Sequence, residues 1–262
     1  LNFQLQAKAL AHCVDISGAR HLILDHELTG QWKTATPHLT TEIRALVAFG
    51  DSKGNKSFDT ELAAQADTRP DRSHRAGILA GQEALKMFTS GTTGLPKAAK
   101  VTHVRAQNYM RGFAAAAKCN ETDRMMMVLP LYHATGGLCG VGCALMKGGA
   151  VIVRPKFSAS KFWDEAVEYK ATLFMYVGEL CRFMLSAPPS ENERKHNIRF
   201  IIGNGLREEV WRSFIARFDI PGVIEFYGAT EGNVSLINTN GRVGAMGRIP
   251  DYLKFRFNAE VV

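Results

Sequence analysis

Apolar positions along the chain alternate between two rhythms. Short runs rich in branched, aromatic and methionine side chains read as strands: RHLILD, IRALVAF, ALKMF, AAKV, MMMVLP, AVIVR, TLFMY, IRFIIG, VIEFY and NVSLIN. Between them lie stretches of helical period. One runs from a cap at Asn2 to about residue 13, a short one lies near 26–33, and one starts at Ser57. A longer one is capped by Thr102 and reaches about residue 117, and an apolar Gly/Ala helix follows LYHATGG. Ser158 or Ser160 caps the next, through about 169; GELCRFMLS ends at Pro188 and Pro189, and a last helix covers 207–217.

Such an order predicts an α/β fold, with mostly parallel sheets and helices on both faces. The most polar stretch, residues 51–77, sets the expected internal boundary: 1–77 as a partial α/β subdomain with a polar linker, 78–262 as a core subdomain. Ligands of open parallel sheets collect at the carboxyl ends of strands. Four loops expected there are chemically loaded: 89–97, 130–137, 203–207 and 227–233.

Composition narrows the picture only slightly. Apolar residues make up 46% of 262, enough for a substantial core. No apolar run approaches the roughly 18 residues that span a bilayer, and no charged-then-apolar leader opens the chain. A formal charge of +7 suits an anionic partner, yet the 32 basic residues are scattered among 25 acids, which argues against a nucleic-acid surface. The cysteines, Cys13, Cys119, Cys139, Cys143 and Cys181, are odd in number and widely spaced, as expected for reduced thiols in a cytoplasmic setting. Cys139 and Cys143 stand one helical turn apart, as a metal or redox pair or as two small buried residues.

The segment FTSGTTGLPKAAK, residues 88–100, resembles a phosphate loop without being a Walker loop, because Ala98 stands where a magnesium-binding hydroxyl belongs. Its glycines let backbone N–H groups approach an anion, its hydroxyls donate, and Lys97 supplies charge. A Ser/Gly hairpin turn has the same composition. Downstream, Tyr227, Gly228, Ala229, Thr230 and Glu231 combine an aromatic ring that can stack on a purine with a carboxylate suited to Mg2+; alone they are also a plain polar loop. Met125, Met126 and Met127 at strand spacing read as core before acyl tunnel, as do Trp163 and Trp211.

Together, FTSGTTGLPKAA and EFYGATE in this order resemble the acyl-adenylate-forming enzymes, which include acyl-CoA synthetases, luciferases and peptide-synthetase adenylation domains. LPLYHATGG, KFSASKFW, GELCRFML, GNGLREEVW and FYGATEGN look like the branch of fatty acid transport proteins and very-long-chain acyl-CoA synthetases. The resemblance implies the central part of the family's large N-terminal domain and a fatty acid CoA ligase that uses ATP, Mg2+ and CoA. It implies that Thr89, Ser90, Gly91, Thr92, Thr93, Gly94 and Lys97 hold the β- and γ-phosphates, that Thr230 meets the α-phosphate and that Glu231 ligates Mg2+. Tyr227, with Gly228 beside it, would stack on adenine; Gly203, Asn204 and Gly205 would border the base; His133 would lie by the acyl carboxylate. The implied partners are small molecules, with surface contact to a membrane from which an oily acid is drawn.

The same resemblance leaves other readings open: a fatty acid uptake protein that acts by binding, or a ligase for a bile or aryl acid. Leu1 in place of Met and the strand-like ending KFRFNAEVV read as cut ends, and no TGD segment, hinge or small C-terminal domain with its lysine is found. The expectation is a fragment that binds ATP weakly and turns over slowly or not at all by itself.

Overall fold

In the computed structural model, residues 1–89, 94–232, 235–249, 251 and 254–255 are described. Ser90, Gly91, Thr92, Thr93 and nearly all of the strand-like ending lie outside them. By its contacts the chain divides into two compact units, Leu1–His103 and Val104–Val262. This division falls after the pair of strands around the 89–97 loop, beyond the boundary drawn at 77/78 from polarity.

In the first unit, α1 (Ala7–Ser17) and α2 (Thr29–Ala35) accompany a parallel sheet of β1 (His21–Asp25), β2 (Arg44–Ala48) and β3 (Lys56–Ser57). Leu10, Ala11 and Val14 of α1 and Trp32 and Ala35 of α2 close over Leu24 and Val47. Removing each large apolar side chain from water contributes about 1.5–3 kcal/mol. Helix α1 starts later than expected because the Asn2 side chain takes the Gln4 N–H at 2.9 Å in a local turn, leaving extended Gln6 as the N-cap. Ser57 caps α3 (Phe58–Ala63) as expected, accepting from the Thr60 N–H at 3.2 Å. β4 (Glu83–Thr89) and β5 (Lys97–Thr102) form an antiparallel hairpin.

The second unit opens with α4 (His103–Ala116), whose first residue closes the first unit. Its elements are β6 (Arg124–Met127), a π-helical turn over Thr135–Val141, α5 (Gly142–Leu145), β7 (Ala150–Val153), α6 (Phe162–Glu168), β8 (Leu173–Val177), α7 (Gly178–Ser186), β9 (Phe200–Asn204), α8 (Glu208–Phe218), β10 (Val223–Tyr227) and β11 (Leu236–Asn238). Among the described residues the strands form one sheet in the order β11-β10-β9-β8-β6-β7, parallel except for β11. Strands buried on both faces need apolar residues at successive positions, which is why LFMYV of β8 is continuous rather than alternating. Met126, Phe174 and Tyr176 face Trp163, Cys181, Met184, Trp211, Phe214 and Phe218 from α6, α7 and α8. Met125, Met127, Leu173 and Met175 face Phe113, Cys139 and Cys143 on the opposite side. The methionine run is therefore core, split between two faces by the strand period.

Two helix starts differ from the sequence reading. Neither Ser158 nor Ser160 caps α6; their hydroxyls pair with each other at 3.2 Å and Lys161 holds the N-cap position. The Gly/Ala helix opens as a π-helix, whose wider turn no periodicity argument anticipates. All five cysteines are free and buried. Burial alone pushes Cys139 up to about 12, which makes it a poor thiolate ligand, and Cys143 meets Cys119 rather than Cys139. No helix among the described residues is long and apolar enough to cross a membrane.

At the amino edge of the large sheet, Asp123 is buried and accepts from Arg199 Nε at 3.0 Å, Thr172 Oγ1 at 2.7 Å and the Asn120 N–H at 2.9 Å. Burial opposes ionisation there, but these donors outweigh it and hold the carboxyl below its ordinary range. Its contribution to stability is thus complete above the unfolded-state value near 4 and is lost as pH falls through the lower folded value. Asp123→Ala removes the carboxylate from the Arg199 guanidinium, which keeps the Ala117 and Lys118 carbonyls, and leaves the Thr172 hydroxyl and Asn120 N–H without their acceptor; denaturant unfolding at neutral pH should show a loss of about 3 kcal/mol. The loss should shrink as the solution is acidified.

Candidate functional site

Because β6, β8, β9 and β10 run parallel, the segments that leave their carboxyl ends emerge along one edge of the sheet. Three of the four loaded loops, 130–137, 203–207 and 227–233, are brought to that edge; the fourth, 89–97, belongs to the first unit. The chain passes from β6 outward to β7, then returns past β6 to β8, so the strand order reverses between β6 and β8. Such a reversal opens a crevice at the carboxyl ends. His133 lies in the loop after β6, exposed, with its ring 4.6 Å from that of Tyr132. The loop is closed by its own backbone: the His133 N–H donates to the Pro130 carbonyl at 3.2 Å, and the Gly137 N–H to the His133 carbonyl at 2.8 Å.

After β10 the chain makes a tight turn in which the Gly232 N–H donates to the Ala229 carbonyl at 2.9 Å. Thr230 and Glu231 are its two central residues, so their side chains project from a fixed bend. The Tyr109 hydroxyl fastens this turn, lying 2.9 Å from both the Ala229 and Gly232 carbonyls. Its position follows from helical spacing: Phe113, one turn on, packs edge-on against Phe226 of β10 at 4.7 Å, and Tyr109 shares that face. Burial raises the Tyr109 pKa, with the nearby Cys139 thiol adding to it, so the phenol remains a donor.

A second fixed region lies between β9 and β10. Glu225 of β10 is buried, with one carboxylate oxygen taking the Leu206 N–H at 3.0 Å and the other taking the Tyr176 hydroxyl. Burial pushes the Glu225 carboxyl up, against hydrogen bonds from Tyr176, Leu206 and Gly205; Tyr176 is itself raised by burial and by the Glu225 charge. Gly205 takes φ +81°, and a Cβ on Gly178 would lie 1.9 Å from the Gly205 carbonyl oxygen. Only a bare backbone fits at both positions. Gly203 is buried in β9, Asn204 and Gly205 are exposed, and Tyr227 is 59% exposed beyond the end of β10, with Gly228 next in the chain.

In the first unit, Thr89 and Lys97 face each other as the last pair of the β4–β5 ladder. The two strands thus form a hairpin ladder, and residues 90–93 between them lie outside the described residues. Lys97 is exposed, Gly94 has φ +132°, and the hairpin is tied to α1 where His12 Nε2 meets the Pro96 carbonyl at 3.0 Å.

Glu231 is exposed in its turn, and among the described residues no group of three or more His, Cys, Asp or Glu is placed to hold a metal. A Mg2+ ion at Glu231 would take its remaining oxygens from phosphate and water, which suits an ion that gives up its hydration reluctantly. Tyr109, Glu225, Tyr176 and His12 escaped the sequence reading. Their partners are 84 or more residues away for Tyr109 and His12 and 49 for the Tyr176–Glu225 pair, with no motif to announce them.

A profile of AMP-binding enzymes matches residues 1–253. Long-chain fatty acid transport protein 6 of Mus musculus is 35% identical over 100% of this chain and 42% of that protein. Long-chain fatty acid transport protein 1 of Homo sapiens is 39% identical over 94% of this chain and 39% of that protein. The chain therefore spans about two fifths of the length of the curated relatives it matches. Among solved structures, the anthranilate CoA ligase AuaEII in complex with anthranoyl-AMP superposes with a TM-score of 0.84 at 19% identity, over 96% of this chain and 49% of that one. At that identity the likeness is one of fold.

The Tyr109 contact can be tested without any ligand. Tyr109→Phe removes a single hydroxyl, so the turn should loosen by about 1 kcal/mol, seen as roughly fivefold faster amide exchange at Gly232. Unchanged exchange there would mean that the hydroxyl does not hold the turn.

Proposed function

Since the chain belongs to the AMP-binding enzyme family, we propose that it carries the adenylating part of a long-chain or very-long-chain fatty acid CoA ligase. The observation that supports this most is one sheet edge bearing the Thr230–Glu231 turn, the exposed Tyr227 ring and the His133 loop.

The chemistry explains why these groups are needed. A free carboxylate cannot expel oxide, so the acid is first converted: its oxygen attacks the α-phosphorus of ATP, pyrophosphate leaves, and acyl-AMP forms. The thiol of CoA then attacks the acyl carbon and AMP leaves as the thioester appears. Charge neutralisation and in-line placement do most of this, with no protein nucleophile. Thr230 is proposed to donate to the α-phosphate and Glu231 to ligate Mg2+, which supplies neutralising charge at the phosphates when bound. Tyr227 and Gly228, with Gly203, Asn204 and Gly205, are proposed to receive adenine. His133, at the strand-order reversal, is proposed to meet the acid's carboxylate. For the first unit, Thr89, Ser90, Gly91, Thr92, Thr93, Gly94 and Lys97 are proposed to meet the β- and γ-phosphates, on the strength of the resemblance and of the exposed lysine that closes the hairpin. Cytoplasmic placement with peripheral membrane contact suits a substrate that partitions into lipid.

A second reading has an observation in its favour: the relatives are named for fatty acid transport. Capture of a fatty acid by itself needs neither a triphosphate nor Mg2+, so the two readings separate experimentally. In a chain long enough to span its relatives' full length, fatty-acid-dependent ATP–pyrophosphate exchange is expected, and Glu231→Ala should lower it by about 100-fold or more. Undiminished exchange in that variant would remove the assignment of Glu231, whereas fatty acid binding with no exchange in the unaltered full-span chain would favour the transport reading. Exchange with a bile or aryl acid in place of a fatty acid would reassign the substrate.

A further inference from the structure

We infer that Glu225 is a positioning residue that fixes the slot beneath Tyr227, by locking the 203–206 loop against β10 through the Leu206 N–H and the Tyr176 hydroxyl. This deepens the proposed function, because adenine is the group assigned to that slot.

Strand alternation puts Glu225 and Tyr227 on the same face of β10, about 7 Å apart along the strand. Tyr227 stands free of the sheet at 59% exposure, while Glu225, at 3%, sits beneath it inside the core of α7 and α8. The carboxylate reaches across two strands: Oε1 takes the Leu206 N–H just after β9, and Oε2 takes the hydroxyl of Tyr176 on β8. The bottom of the slot is thus tied to three strands through one side chain.

A buried carboxylate is a costly way to fill this position. The Cys181 thiol and Leu206 lie close to it, and an isosteric apolar side chain would avoid the desolvation penalty. What a leucine could not do is accept the Leu206 N–H. The β9 ladder ends at Asn204, opposite Val177; beyond it Gly205 is exposed and carries no side chain, with the Gly178 backbone close against it. With both oxygens engaged and almost no exposure, Glu225 does not itself touch a ligand. It acts through the loop.

The test compares Glu225→Leu, Glu225→Gln and Tyr176→Phe with the unaltered chain. The measurements are AMP affinity by titration and KM for ATP, KM for fatty acid and kcat in ATP–pyrophosphate exchange. Glu225→Leu should weaken AMP binding and raise KM for ATP by about tenfold, with KM for fatty acid within about twofold. Glu225→Gln, whose amide oxygen still accepts the Leu206 N–H, should restore AMP affinity to within about threefold, and Tyr176→Phe should fall between. A role in folding alone would lower the active fraction and leave both KM values unchanged. That result, or both KM values rising together, overturns the inference; if Glu225→Leu does not fold, an AMP affinity in Tyr176→Phe equal to that of the unaltered chain does the same. AMP binding keeps the two ideas distinct. An unaltered chain spanning the relatives' full length that binds AMP but catalyses no exchange removes the ligase reading and leaves the 203–206 loop to be judged by AMP affinity, whereas one that binds no AMP overturns both.

Discussion

Parallel pairing of β6, β8, β9 and β10 is the constraint on which the second unit depends. It sends every strand's carboxyl end to one edge and requires a crossover between each pair, so helices cover both faces and the strands between them become apolar throughout. Among the described residues two acids are nevertheless buried, near opposite ends of the strands. Asp123, just before β6, has a guanidinium partner and is held ionised below its ordinary range; Glu225, near the end of β10, has only neutral donors, and burial pushes it up. The partners decide the direction: charge compensates desolvation at one edge, while neutral hydrogen bonds do not at the other.

This division fits the chemistry of acid activation. Adenylation needs a phosphate held in line, a base held flat and an oily acid kept close, with little proton transfer by the protein. The carboxyl edge offers a turn fixed by Tyr109, a glycine-built slot fixed by Glu225 and an exposed histidine where the strand order reverses. Rigid hydrogen bonds from core residues hold all but the last, so the ligand-facing side chains can stay exposed without the backbone losing its shape.

The alternation of strand and helix, the division of the methionine run between two faces and the placement of three loaded loops at one edge were all legible in the sequence, because they follow from local periodicity and from the rule for open parallel sheets. The hairpin reading of residues 88–100 agrees with Thr89 and Lys97 as the last pair of the β4–β5 ladder. What the sequence hid was set by competition or by distance. Asn2 spends its side chain on Gln4 rather than on a helix, and the two serines before α6 bond each other. Tyr109 and Glu225 act on partners far along the chain, and a tyrosine in a helix or a glutamate in a strand carries no mark of such a bond. The contact division after His103 also reflects distant partners: the β4–β5 hairpin is held to α1 through Lys86 on the Ser17 carbonyl and His12 on the Pro96 carbonyl.

The account rests most directly on where an acyl-adenylate sits. A crystal structure of the chain with a non-hydrolysable fatty acyl-AMP analogue should show adenine against Tyr227 beside residues 203–206, the phosphate mimic near Thr230 and the acyl group leaving past His133. An analogue bound instead at the amino edge, beside Asp123 and Arg199, would contradict it.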